Sequence, residues 1–415
     1  MRITREDAVK VIIYIGTRKI VALLGSCEHE EPRVLRCVIR TRPEGFQEGY
    51  VSNLERAAAV LQEMLDELFE GASVSDYSAY VVLGNSKLKT YSFSSSQYFQ
   101  GEQRTIASGD VRSIIQQTKS VATLPLTEFI LQAIPDSFLV NDMYGIRNPL
   151  GLEAQRLGVD LKLFTMNFQD FKNLSKAFDA AEIDVIAYFP KTLTVAEAVL
   201  TEIEKEEGAV IVDIANDVTQ LIAWKNGTLA ATKAIPFGGR QLTTLISDGW
   251  KIDITDSDRV KERFASMSPT ADFGEELIPL VERNGKDNHQ MRRQDFHRDF
   301  LIHAEKWVNP IIGEAKMFID DQKMVYPNFI FTGGAAAIDG FLEFVLEKYE
   351  IEGRIGLPRL VQASQELLLD PSLPAGLGML RWLAMNDRQQ RRLIEPAGIV
   401  EKTWSSARDW FLTYF

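Results

Sequence analysis

Two strand–turn–strand units, about two hundred residues apart, constrain this chain more than any other feature. In the first, Val11 to Ile15 is a short β-branched run, Gly16-Thr17-Arg18-Lys19 turns it, and Ile20 to Leu24 returns. Short apolar runs bounded by a glycine turn predict buried strands. Val34 to Arg40 supplies a third strand. The second unit opens at Gly208 and runs through Asp213 and a polar turn to Thr219. Gln220 to Trp224 returns, Lys225-Asn226-Gly227 makes a tight hairpin turn, and Leu229 to Ile235 is again a third strand. A repeated three-stranded meander predicts two α/β lobes.

The 415 residues fit two to four structural units. After the first meander, Ser52 with Glu55 predicts a capping box. Leu54, Ala58, Leu61, Leu65 and Leu68 then follow at helical spacing. Ala79 to Leu83 is a further strand. From Ser86 to Leu163, Ser- and Gln-rich strands around a helix at Ser108–Thr118 predict an inserted α+β subdomain. Helix Gln169–Ala181, strand Asp184–Tyr188 and helix Lys191–Lys205 resume the alternation. Gly239 to Asp321 reads as mostly helical, with a loop over Ser268–Asn288. Strand Asn328–Phe331 enters Thr332-Gly333-Gly334-Ala335, followed by a helix. Pro371–Asn386 is a last helix, Arg388–Arg392 a basic linker, and Thr403–Phe415 an amphipathic stretch.

Composition narrows the classes. A net charge of −12 argues against a general nucleic-acid binder. Cys27 and Cys37 form no CxxC, so neither a disulfide framework nor a thiolate metal site is expected, and a reducing compartment fits. His29, His289, His297 and His303 form no i, i+4 pair of the zinc-binding kind. The N-terminus shows no cleavage-like site, and no run reaches about 18 apolar residues, so a protein that does not span the membrane is expected.

The Ile15-Gly16-Thr17 turn, Asp213 opening the second turn and Thr332-Gly333-Gly334 together resemble the actin/sugar-kinase/heat-shock-chaperone ATPase superfamily. Within it the chain resembles FtsA, a bacterial cell-division family. Phe46 to Glu55, Met291 to Phe296 and, above all, Ile130 to Gly151 carry that likeness. The last resembles the inserted 1C subdomain of FtsA, which actin, MreB and the heat-shock chaperones lack. The fold this implies is a two-lobed actin-like α/β fold with a 1C insert and a C-terminal amphipathic helix. The implied division is first-lobe core 9–84 and 166–206, insert 85–165, second-lobe core 207–240 and 325–370, and partner-binding subdomain 241–324. A closing helix 371–387, a linker 388–401 and a terminal helix 402–415 complete it.

In that fold, glycine-rich turns cradle the phosphates of ATP and acidic side chains hold Mg²⁺ through water. By resemblance the nucleotide residues are Gly16, Thr17, Arg18, Lys19, Asn216, Asp217, Thr219, Lys261, Gly333, Gly334 and Ala335, with Asp213 as catalytic and Mg²⁺ residue. This chain departs from the family at the phosphate end. Tyr14 replaces an Asp, Ala215-Asn216-Asp217 replaces glycines, and Val218 replaces a Thr. Arg18 is the expected cation offsetting Asp217. Three outcomes stay open: weak ATP binding with little or no hydrolysis, no nucleotide at all, or a competent ATPase. Ordinary tight turns are the plain alternative for Gly16 and Gly334.

In the tail, Trp404, Ala407, Phe411 and Phe415 recur at helical spacing, and Trp410, Leu412 and Tyr414 widen the apolar face. This suits a helix lying in the membrane interface, as resemblance also implies; docking on the protein's own core is the alternative. The resemblance further implies a peripheral protein at the division site, on the inner face of the cell membrane. It would polymerise with itself, work with other division proteins, and bind the C-terminal peptide of the tubulin-like FtsZ. Arg292 and Arg293 are candidates for that peptide's acidic groups, against a plain solvated face. The competing readings are a PilM-like scaffold of a pilus or secretion machine and an actin-fold small-molecule kinase.

Overall fold

The computed structural model describes residues 9–27, 31–71, 77–101, 103–283 and 288–394 and divides into two compact units. The first comprises residues 1–15, 20–193 and 380–415; the second comprises 16–19 and 194–379.

In the first unit, β1 (Val9–Gly16) and β2 (Lys19–Ser26) pair antiparallel from Val9↔Ser26 to Ile15↔Ile20. Both are buried almost throughout, as unbroken apolar runs require. β3 (Arg33–Thr41) extends the sheet, and the short pair β4 (Phe46–Gln47) and β5 (Tyr50–Val51) leads into α1 (Leu54–Phe69). Asn53, not Ser52, caps α1: its side chain accepts the Arg56 N–H at 3.0 Å. Asn and Ser cap equally well, and the Ser52 N–H is taken by the Gly45 carbonyl at 2.8 Å. The helix buries Ala57, Ala58, Leu61, Met64 and Leu68, which leaves Leu54 exposed.

After β6 (Ser78–Gly84) the chain builds the insert. It consists of β7 (Lys89–Tyr98), β8 (Arg104–Thr105), α2 (Ser108–Val121), β9 (Glu128–Val140), β10 (Met143–Ile146), β11 (Glu153–Ala154) and β12 (Arg156–Asn167). Its sheet has the order β10-β9-β12-β7, and α2 buries Ile114 and Ile115 with Leu157, Val159, Leu161 and Leu163 in a separate core. This is the expected inserted subdomain. α3 (Phe168–Ala180) and β13 (Val185–Pro190) return to the main sheet, whose order is β13-β6-β1-β2-β3.

The helix expected over 191–205 is two helices, α4 (Lys191–Val199) and α5 (Glu202–Glu207). Thr201 restarts the chain with a reciprocal cap: Thr201 Oγ1 accepts the Glu204 N–H at 3.2 Å, and the Glu204 carboxylate accepts the Thr201 N–H at 2.8 Å. β14 (Ala209–Ile214), β15 (Thr219–Lys225) and β16 (Thr228–Ile235) form the second meander. α6 (Gly239–Trp250) and α7 (Ile254–Phe264) follow. The expected loop over Ser268–Asn288 contains a strand, β17 (Leu277–Val281), which pairs antiparallel with β18 (Asn288–Arg292) at the loop's end. Then come α8 (Arg293–Asp321), β19 (Asn328–Thr332), a 3₁₀ turn at Gly334–Ala337 and the helix expected after that motif, α9 (Phe341–Tyr349). β20 (Gly353–Ile355), α10 (Gln365–Leu369) and α11 (Pro374–Ile394) complete the described chain. Because α11 reaches Ile394, residues 388–392 are helical rather than a linker.

The second sheet has the order β16-β15-β14-β19-β20, which repeats β3-β2-β1-β6-β13 strand for strand. The internal repeat read from two hairpins is therefore a repeat of whole sheets. Among the described residues, no helix is long and apolar enough to cross a membrane.

Arg354 on β20 fixes α5. Its Nε and Nη2 each lie 2.8 Å from a Glu204 carboxylate oxygen, and Nη2 also donates to the Val199 carbonyl at 2.6 Å. Burial alone would raise the Glu204 pKa, but the hydrogen bonds from Arg354 and Thr201 outweigh it and hold it at about 2. A depressed carboxylate stabilises the fold fully above its unfolded value of 4.5, and that contribution fades as pH falls toward 2. The urea midpoint is expected to drop between pH 5 and pH 3, and Glu204→Gln to remove part of that slope. An unchanged slope in the variant would discount this pair.

Candidate functional site

Strand register aligns the two turns. Ile15↔Ile20 closes the hairpin around residues 16–19, and Ile214↔Thr219 closes the other around 215–218. Tyr14 and Asp213 are thus equivalent positions, as are Arg18 and Asp217. Where one meander has a buried carboxylate the other has a buried phenol, and where one turn has a cation the other has an anion. The turn Gly16–Lys19 groups with the second unit, so every contact below lies within that unit.

Arg18 reaches α7. Its Nη2 lies 2.8 Å from Glu262 Oε1 and 3.3 Å from Asp258 Oδ2, and Nη1 lies 3.4 Å from Asp258 Oδ1. Lys261, one turn after Asp258, donates to Asp258 Oδ1 at 2.9 Å, to Thr243 Oγ1 at 2.6 Å and to the Gly239 carbonyl at 3.3 Å. Burial raises the Asp258 carboxyl, yet Lys261, Thr243 and Arg18 together hold it below the ordinary range. Burial also pushes the Lys261 ammonium down, against the opposing pull of Asp258. Thr17 Oγ1 and Arg18 Nε are buried and have no hydrogen-bond partner.

The second turn is closed against α6. Its Ala215 N–H donates to Val218 O at 3.0 Å. The first N–H groups of α6 turn toward it: Gly239 N–H donates to Ala215 O at 2.9 Å and Arg240 N–H to Asn216 O at 2.7 Å. A Cβ on Gly238 would lie 2.4 Å from Ala215 O, so the approach requires glycine. Asp217 is held by Arg240 and by Asn216 Nδ2 at 3.0 Å. Arg240, which immediately follows the glycine pair, is therefore the counter-charge expected of Arg18. Thr219 is buried, its hydroxyl donating to the Phe237 carbonyl at 2.7 Å.

In the third motif, Gly333 has the left-handed backbone, φ 88°, and a Cβ there would strike Ile214 O at 2.4 Å. Its role is to let the chain leaving β19 pass close to the end of its parallel neighbour β14. Gly334 is open: a Cβ would meet Ser372 Cβ at 3.7 Å, an ordinary contact. Ala335 is the second residue of the 3₁₀ turn that Gly334 begins. Lys19 donates to Ser372 Oγ and lies 3.9 Å from Asp370. The structure thus brings Arg18, Lys19, Lys261, Gly334 and Ala335 into one unit with Asp258, Glu262, Asp370 and Ser372, which sequence reasoning missed. Asp258 and Glu262 flank Lys261 on the same helix and were legible as neighbours. Asp370 and Ser372 gave no signal, because hundreds of residues separate them from Lys19.

The unpartnered Thr17 hydroxyl and Arg18 Nε fit a phosphate oxygen, and open Gly334 leaves room for backbone approach to a ligand. Among the described residues, no three His, Cys, Asp or Glu side chains gather as a metal-holding group. A metal at Asp213 would rest on that carboxylate, water and ligand oxygens. Elsewhere, Arg292 is exposed and lies 3.1 Å from Asp295. Arg293 is largely covered: it binds Glu276 at 2.8 Å and Phe264 O at 3.1 Å, and stacks on Phe273 at 3.9 Å. Trp404, Ala407, Trp410, Phe411, Leu412 and Phe415 lie outside the described residues.

Residues 210–378 match the family model described as cell division protein FtsA, and residues 88–165 match that of the SHS2 domain inserted in FtsA. Together the two stretches span more than half of the chain. The cell division protein FtsA of Pseudomonas aeruginosa is 24% identical over 372 residues, covering 89% of this chain and 87% of that protein. Among solved structures, the PilM-PilN type IV pilus biogenesis complex superposes with a TM-score of 0.61 at 13% identity, over 95% of this chain and 100% of that one. MreB 5 of Spiroplasma citri, bound to AMPPNP, gives 0.54 at 11% identity over 94% and 100%. The repeated sheets and equivalent hairpin turns define an actin-like fold carrying an SHS2 insert. The chain belongs to the FtsA family of cell-division proteins, as a divergent member.

Proposed function

We propose that the protein is a membrane-tethered division adaptor that polymerises and links FtsZ filaments to the inner face of the cell membrane. It hydrolyses ATP weakly or not at all. The observation that carries this reading is the pairing, in one chain, of the SHS2 insert at 88–165 with the FtsA match at 210–378. ATP binding rests on Thr17, Arg18, Lys19, Lys261 and the Gly334–Ala335 backbone. Slow turnover follows from Tyr14 at the position equivalent to Asp213, which removes a carboxylate from the metal end. Tethering rests on the aromatic spacing of Trp404, Ala407, Trp410, Phe411, Leu412 and Phe415. Each anchor is weak alone, and polymerisation multiplies it through avidity. Of the two arginines, Arg292 is the one exposed for an acidic peptide.

Vesicle flotation tests the reading. The full chain is expected to float with anionic liposomes and to carry along an FtsZ C-terminal peptide. Deleting residues 400–415 is expected to abolish flotation while leaving peptide binding intact. Arg292→Glu is expected to weaken the peptide about fivefold, since exposed charge pairs contribute up to about 1 kcal/mol. Flotation retained by the truncated chain would rule out the tail as the tether.

A further inference from the structure

The cation of the first turn is already engaged by the protein itself. Arg18 has its two terminal nitrogens on two carboxylates of α7, Glu262 at 2.8 Å and Asp258 at 3.3 and 3.4 Å. Asp258 is also the carboxylate that holds Lys261. Two cations and two carboxylates thus form one neutral cluster at the place where an anion's charge would have to be met. The Arg18 side chain is 20% exposed and that of Asp258 15%, so this part of the cluster is shielded from solvent. Glu262, at 59%, is the member that water and ligands reach most easily. A guanidinium binds carboxylate and phosphate with the same fork of donors. One fork cannot serve both at once.

We infer that Asp258 and Glu262 form an acidic latch on Arg18, so that a polyphosphate reaches the first turn only by displacing the protein's own carboxylates. The inference rests on the reading of this site as a nucleotide site and names what sets its affinity. Glu262 is the displaceable arm, because it is exposed and no second cation holds it in the cluster. Asp258 is the fixed arm, because Lys261 and Thr243 also hold it. When Glu262 leaves, Arg18 swings only as far as a phosphate oxygen beside the unpartnered Thr17 hydroxyl. Arg18 is therefore a specificity-determining residue for polyphosphate whose availability α7 controls. Any movement that draws α7 away from the turn tightens binding, and any that presses it closer weakens binding.

The test is a double-mutant cycle read by fluorescence titration of the full chain with a labelled ATP, and by calorimetry with inorganic tripolyphosphate. Glu262→Gln keeps size and hydrogen bonding but removes the charge. It is expected to tighten both ligands about fivefold, and Asp258→Asn/Glu262→Gln about tenfold, the scale of a charge-assisted hydrogen bond. In an Arg18→Gln background, Glu262→Gln is expected to change affinity less than about twofold. That contrast separates the latch from a general loss of negative charge, which would tighten binding in both backgrounds. Binding by the natural protein that Glu262→Gln leaves unchanged or weakens overturns the latch and leaves the nucleotide site standing. Equal tightening with and without Arg18 also overturns it. Binding of neither ligand to any of the proteins overturns the nucleotide site and the latch together. Binding that appears only in Glu262→Gln supports the latch.

Discussion

Replacing Gly378 by alanine lowers stability by about 3 kcal/mol or more, the upper end for forcing atoms into a packed core. An added Cβ would lie 1.8 Å from the Thr194 carbonyl oxygen and 2.7 Å from its carbon, with Ala198 Cβ at 3.1 Å. The obstacle is the backbone of α4, which cannot rotate aside as a side chain can. Thr194 and Ala198 are fully buried, so the strain has no route to solvent. Relief requires the backbone around Gly378 to move away from Thr194 and Ala198. The expectation opposes local propensity, because glycine to alanine inside a helix ordinarily gains about 1 kcal/mol. The sign of the change in urea midpoint therefore decides: a stabilised variant would show that the two helices are not in this contact.

Lys205→Met is expected to cost about 3–5 kcal/mol, the penalty for stranding one half of a buried ion pair. Lys205 Nζ lies 2.7 Å from Glu197 and 3.0 Å from Glu202, and the Lys205 and Glu197 side chains are 6% and 7% exposed. Removing the ammonium leaves the Glu197 carboxylate shielded from water without its main counter-charge. Glu197→Leu alone is expected to cost a comparable amount. The double variant Glu197→Leu/Lys205→Met is expected to recover most of the loss, since apolar side chains of similar size often replace such pairs at little cost. Additive losses in the cycle would show that the two groups are independent of each other.

These effects bear on how the site is held. α5 carries Lys205 and Glu204, and Arg354 fastens Glu204 to the edge strand β20. α8 crosses beneath the second turn, where Trp307 Nε1 donates to the Gly238 carbonyl at 2.8 Å. The turn at 215–218 is thus held by the first N–H groups of α6, and the preceding Gly238 is held by a fully buried indole. The first turn differs: two carboxylates, Asp258 and Glu262, hold Arg18, and a hydroxyl and a carboxylate hold Lys19. Charged contacts of this kind exchange partners more readily than buried backbone bonds. The adjustable half of the site is therefore the first turn.

Much of the fold was legible because its signals are local. The unbroken apolar runs at Val11–Ile15 and Ala209–Val212 specify buried strands whatever surrounds them, and equal turn lengths fix their register. The break between α4 and α5 was also written in the sequence, as Thr201 and Glu204, but the continuing apolar pattern obscured it. The shift of the α1 cap from Ser52 to Asn53 was not readable. Both residues cap well, and the Gly45 carbonyl takes the Ser52 N–H that a Ser52–Glu55 box would need. β17 was read as loop because it is short and gains its stability from the partner strand β18.

The feature most open at the start was the pair of equivalent turns, and the division of labour is clearest there. The sequence by itself determined two equivalent hairpins, a carboxylate at Asp213 where the other has Tyr14, and a cation at Arg18 where the other has Asp217. It also determined the glycines that let backbones cross. Only the tertiary structure decided which charges meet. Asp217 goes to Arg240, and Arg18 goes to Asp258 and Glu262, some 240 residues along the chain. The physical reason is that strand and helix patterns arise from interactions within a few residues. Ion-pair choice depends on the packing of α6 and α7 against the turns, and spacing along the chain carries no record of it.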